Sequence, residues 1–149
     1  MNKSVLVLLA TTTALVMPYA QAQETELTGI ELLIKLAALK GIIVTEADLR
    51  NPRLRSKLVN DLDLSPNIFA SLLRAGDKPI SAALATAAVL ESATGRRVTV
   101  AQAAALIKAD PSLAVTTLEE VQEIVENPGE ANELVDLTKK PVTPTGRRP

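Results

Sequence analysis

Helix-start signals recur at short intervals along this chain, and almost every one is answered by a stop before the next begins. Thr28 with Glu31, Thr45 with Asp48 and Thr117 with Glu120 have the spacing of a capping box, in which a hydroxyl accepts from an early backbone N–H and a carboxylate reaches back. Asn51-Pro52, Ser65-Pro66, Asp110-Pro111 and Asn127-Pro128 put a capping side chain ahead of a proline, whose missing N–H costs nothing at the first helical position. Thr99 caps a further helix, and Gly41, Gly76 and Gly95 supply permissive backbone where helices end. No stretch of useful length alternates polar and apolar residues with period two. The pattern therefore predicts an all-α fold, a small irregular bundle of short capped helices.

The segment Thr28–Thr45 is expected to stand at its centre, with a hydrophobic helix at about 29–40. Apolar residues from Ile30 to Leu39 cover most of the helix circumference, which calls for other helices around it or for a lipid interface. Glu31 and Lys35, four residues apart, are expected to form a weak pair, and the charge of Lys40 suits the C-terminal dipole. Ile42, Ile43 and Val44 read as a core plug across a turn. A helix from Pro52 to about Asn60 should follow, then one from Pro66 with Ile68, Phe69, Leu72 and Leu73 inward. The next is expected to open at Asp77 and Pro79 and to run to Gly95. Asp61 to Asn67 alternates polar oxygens as a calcium loop does, but Pro66 stands where such a loop needs glycine and Leu72 where it needs glutamate.

A weak repeat runs through the chain. Leu36, Gly41, Val44 and Thr45 recur 54 residues later as Leu90, Gly95, Val98 and Thr99. Either this reflects common cap motifs or the chain consists of two three-helix units packed face to face.

Residues 1–22 have the form of a cleaved export signal: Lys3, an apolar centre at Val5–Ala10, and Ala20-Gln21-Ala22 as a cleavage site. The expected mature chain begins at Gln23 and places residues 23–138 in one helical domain. Residues 139–149, basic and proline-rich, are expected to be disordered or extended, with Pro141 and Pro144 in a PxxP arrangement. Export implies the periplasm or the outside of the cell. Both methionines and the single tyrosine fall in the signal, so Phe69 is the only aromatic of the mature chain. With no Cys or His and no mature Met, typical zinc, copper, haem and iron–sulfur sites have no ligands here, and the reading assigns no cofactor and no metal. A formal charge of −1, or −2 once Lys3 is removed, and a want of aromatic stacking faces argue against nucleic acid.

The catalytic inventory is correspondingly thin. Glu119, Glu120, Glu123 and Glu126 read as the solvated face of a helix whose Leu118, Val121, Ile124 and Val125 turn inward. Ser71, Ser81 and Ser92 have no histidine to activate them. The expectation is a protein that is not an enzyme, with no catalytic residues, acting as a protein–protein interaction module on a partner the sequence does not name. Arg50, Arg53 and Arg55 are the expected contact residues, since arginine is the only interface-favoured type present in number. The alternative is a lipid-binding protein in which Ile30–Val44 lies on a membrane surface.

Overall fold

The computed structural model describes residues 24–139; the expected export signal and the proline-rich tail after Lys139 lie outside them. Among the described residues the chain forms eight α-helices and a two-stranded sheet. Strand β1 (Glu24–Thr28) leads through Thr28 into α1 (Gly29–Leu39). Thr28 Oγ1 accepts from the Glu31 N–H and Glu31 accepts from the Thr28 N–H, the reciprocal cap expected from their spacing. Then come α2 (Glu46–Arg50), a 3₁₀ turn (Pro52–Leu54), α3 (Arg55–Asp61) and α4 (Pro66–Ala75). Strand β2 (Pro79–Ser81) enters α5 (Ala82–Thr94), followed by α6 (Val100–Ala109) and a second 3₁₀ turn (Pro111–Leu113). Helices α7 (Leu118–Val125) and α8 (Pro128–Lys139) complete the bundle.

Helix α1 is enclosed as expected: Ile30, Leu32, Leu33, Leu36 and Ala37 are buried, mainly against α4. The two helices touch at backbone level where α1 begins. A Cβ on Gly29 would stand 1.9 Å from the Leu72 carbonyl oxygen, so only glycine fits there. The most enclosed helix is α5, buried along nearly its whole length from Ala82 to Ser92 and packed by α6, α7 and α8. Alanines at 82, 83, 85, 87 and 88 project so little that neighbours close in from several sides. Thr86, buried within it, accepts the Val115 N–H at 2.9 Å and ties down the connection before α7.

Several expectations need correction. The residues leading into α1, for which the sequence predicts no element, form a strand in which Thr25 is buried: its hydroxyl donates to the Ile80 carbonyl at 3.1 Å and accepts the Leu27 N–H at 2.9 Å. The strands run antiparallel, with Glu24 opposite Ser81 and Thr28 opposite Pro79 and a register shift between. The helix expected to open at Asp77 begins at Ala82, capped by Ser81, since Pro79–Ser81 is used for pairing with β1. Residues after Pro52 form a 3₁₀ turn before α3 and not one continuous helix. Glu31 and Lys35 do not pair; Glu31 is engaged in the cap, and Lys35 Nζ reaches Gln122 Oε1 on α7 at 3.0 Å. Val44 enters the core, whereas Ile43 is 93% exposed. Lys40, at the end of α1, pairs with Asp63 at 2.9 Å.

The element order strand, helix, helix, 3₁₀ turn, helix, helix occurs twice, in 24–75 and in 79–139. Residues 54 apart take equivalent places: Gly41 and Gly95 both have positive φ (81° and 74°), and Thr45 and Thr99 both make reciprocal caps. Each half has four α-helices where the sequence repeat covered three. The halves meet through the paired strands and where α1 and α4 contact α5 and α7.

Candidate functional site

One buried carboxylate bridges the two halves. Glu91, in the last turn of α5, is the lone charge in the alanine-rich run Ile80–Gly95. Helical geometry sends its side chain to the point where α4 begins and the chain turns from α5 toward α6. Oε1 accepts the Ser65 N–H at 2.8 Å, and Oε2 accepts the Val98 N–H at 3.0 Å. Ser65 is the cap residue of α4, and Val98 precedes Thr99, the cap of α6. A single anion thus serves two helix starts, each of which carries partial positive charge from unpaired N–H groups. Arg97 approaches the same carboxylate at 3.5 Å.

Above Glu91 lies a cleft of about 340 Å³. One wall is the first turns of α4, with Asn67, Ile68 and Ser71; the other is the segment Arg97–Val100 at the start of α6. That segment is fixed from α8. Arg96 pairs with Asp136 at 2.9 Å and donates to Asn132 Oδ1 at 3.2 Å, and the Lys139 ammonium donates to the Arg97 carbonyl. Ile68 and Val98 line the cleft as part of the core, and Val100 is partly exposed at its edge. The charges differ in access: the Glu91 side chain is 2% exposed and that of Arg97 54%. The charge a ligand meets is therefore positive.

The arginines expected to form a contact surface lie elsewhere. Arg50 pairs with Glu46 at 2.9 Å, Arg55 sits over the Phe69 ring at 5.5 Å from its centroid, and Arg53 is exposed. None of the three lines the cleft. Among the serines, Ser71 does line it, Ser81 caps α5, and the Ser92 hydroxyl is buried without a hydrogen-bond partner among the described residues. Glu119, Glu123 and Glu126 are exposed, whereas Glu120 accepts from the Thr116 and Thr117 N–H groups at 2.7 and 3.2 Å. Among the described residues, no group of three or more acidic side chains is placed to hold a metal ion.

Glu91 carried a legible signal that residue-type searching passed over. An isolated acid inside an apolar helix must find donors when it is buried, because an unpaired buried charge is too costly to keep. Compared with protein-family models, curated proteins and solved structures, the chain has no match.

Proposed function

We propose that the protein is an exported, non-catalytic binding module that takes a segment of another protein into the cleft between α4 and α6. The observation that carries this reading is the cleft itself: about 340 Å³, with Ile68, Val98 and Val100 among polar lining residues and a carboxylate already committed to two backbone donors. That volume is at the small end of ligand pockets, which run from about 300 to 1,000 Å³, and suits one or two inserted side chains. A carboxylate doing general acid–base work needs a proton-transfer partner within reach of substrate. Glu91 is instead engaged by backbone N–H groups at the starts of two helices. The lipid-binding alternative requires the apolar side chains of α1, which form the core, to leave it. No helix among the described residues is long and apolar enough to cross a membrane.

Site-specific photo-crosslinking in the producing cell tests this. A crosslinker at Ser71, in the cleft, should give discrete protein adducts that one at Lys108, on the exposed far end of α6, does not. Identical patterns from both positions, or none from position 71, would remove the reading. An exported product beginning at Gln23 supports the export part, and a retained N-terminus would contradict it.

A further inference from the structure

We propose that the segment the cleft takes is an acidic, branched-aliphatic peptide, read through Arg97; this rests on the cleft being a protein-binding site. The walls set the first requirement. Val100, partly exposed at the rim, and the edges of the buried Ile68 and Val98 are aliphatic, and no aromatic residue lines the cleft, so Val, Ile or Leu side chains match it better than flat rings.

Charge sets the second. The cleft's one acid is buried and accepts from two backbone donors, while Arg97 stands half in solvent beside it and the Lys139 ammonium is held at its backbone. At 3.5 Å the contact of Arg97 with Glu91 is long for a charged hydrogen bond, which leaves much of the guanidinium's donor capacity for a ligand. A basic segment would meet Arg97, with the Glu91 carboxylate buried behind it. An acidic side chain next to the inserted aliphatic one would complete the guanidinium.

The repeat provides an internal contrast. The residue of the first half that corresponds to Arg97 is Ile43, 54 positions earlier, and the one that corresponds to Glu91 is Ala37. Both the carboxylate and the arginine are thus particular to the second half, which supplies one wall of the cleft. Arg97 is in this view the specificity-determining residue, and Glu91 positions it.

The test uses the full chain with fluorescein-labelled hexapeptides, acetylated and amidated at their ends, of one Val/Leu sequence carrying two Glu, two Gln or two Lys. Fluorescence anisotropy should show saturable binding of the Glu peptide, about tenfold tighter than the Lys peptide and weakened by added salt. R97Q should weaken the Glu peptide about fivefold and bring it level with the Gln peptide, R97K should restore part of the difference, and K108Q should change nothing. Circular dichroism establishes that each variant is folded. Equal binding of all three peptides, a preference for Lys, or indifference to R97Q each overturns the proposal while leaving the binding-module reading in place. Binding of none overturns it as well, and if crosslinking from Ser71 is also blank, both fall.

Discussion

Replacing Glu91 with Gln should be among the more damaging single changes of one atom type in this protein. The native carboxylate presents one oxygen to the Ser65 N–H and the other to the Val98 N–H, at 2.8 and 3.0 Å. A carboxamide can keep one of those bonds, now without charge, and must turn its own NH₂ toward the second backbone donor. A hydrogen bond to a charged group contributes about 1.5–3 kcal/mol, and a buried donor left without an acceptor costs about 1–3 kcal/mol. Relief of the buried charge's desolvation offsets part of this. The net expectation is a loss of about 3 kcal/mol, a large share of the usual 5–15 kcal/mol for a domain. For a domain of this size that corresponds to a fall in Tm of about 10–15 °C. Urea denaturation followed by far-UV circular dichroism measures it, with E31Q as the reference. Glu31 caps a backbone N–H too, but at 3.3 Å and in solvent, and glutamine serves a capping box nearly as well, so E31Q should cost no more than about 0.5 kcal/mol. A loss below about 1 kcal/mol in E91Q, or equal losses in the two variants, would refute the argument that one carboxylate joins the halves.

Three further substitutions probe the packing. G29A would drive a methyl group into the Leu72 carbonyl and force α1 away from α4, at a cost of about 2–4 kcal/mol, whereas G41A, with open space around it, should cost about 1 kcal/mol from its positive φ alone; comparing their urea midpoints checks the difference. T86V keeps the shape of the side chain and removes the acceptor for the buried Val115 N–H, so a loss of about 1–3 kcal/mol is expected, accompanied by faster hydrogen exchange at Val115. S92A removes a buried hydroxyl that has no partner among the described residues and should leave stability unchanged or raise it by up to about 1 kcal/mol; a clear loss would show that the hydroxyl has a partner after all.

Most of the helices were legible because their signals are local. A threonine three residues ahead of an acid, or a serine ahead of proline, specifies a cap from a few atoms, and Thr28, Thr45, Ser65 and Thr117 all cap the helices they were expected to cap. What escaped depends on distant partners. Pro79–Ser81 reads as the opening of a helix until β1 is alongside it, and β1 is too short to alternate visibly. The position of α5 at the centre of the second half is hidden in the same way, because alanine is neutral to its surroundings and acquires meaning only from how closely neighbours approach. Glu91 was the instructive omission: a search for carboxylate pairs looks past a single acid, yet its isolation in an apolar run was the sign of a buried anchor. The arginines were selected by residue type alone, and in the fold Arg50 is occupied by Glu46 and Arg55 by Phe69.

The most direct test of the account is a titration of the ¹⁵N-labelled chain with the Glu hexapeptide, followed amide by amide in two-dimensional NMR spectra. The cleft reading predicts saturable shifts concentrated at Asn67, Ser71 and Val98–Val100, with Arg50, Arg53 and Arg55 unmoved. Shifts concentrated at those three arginines, or no saturable change at the cleft, would contradict it.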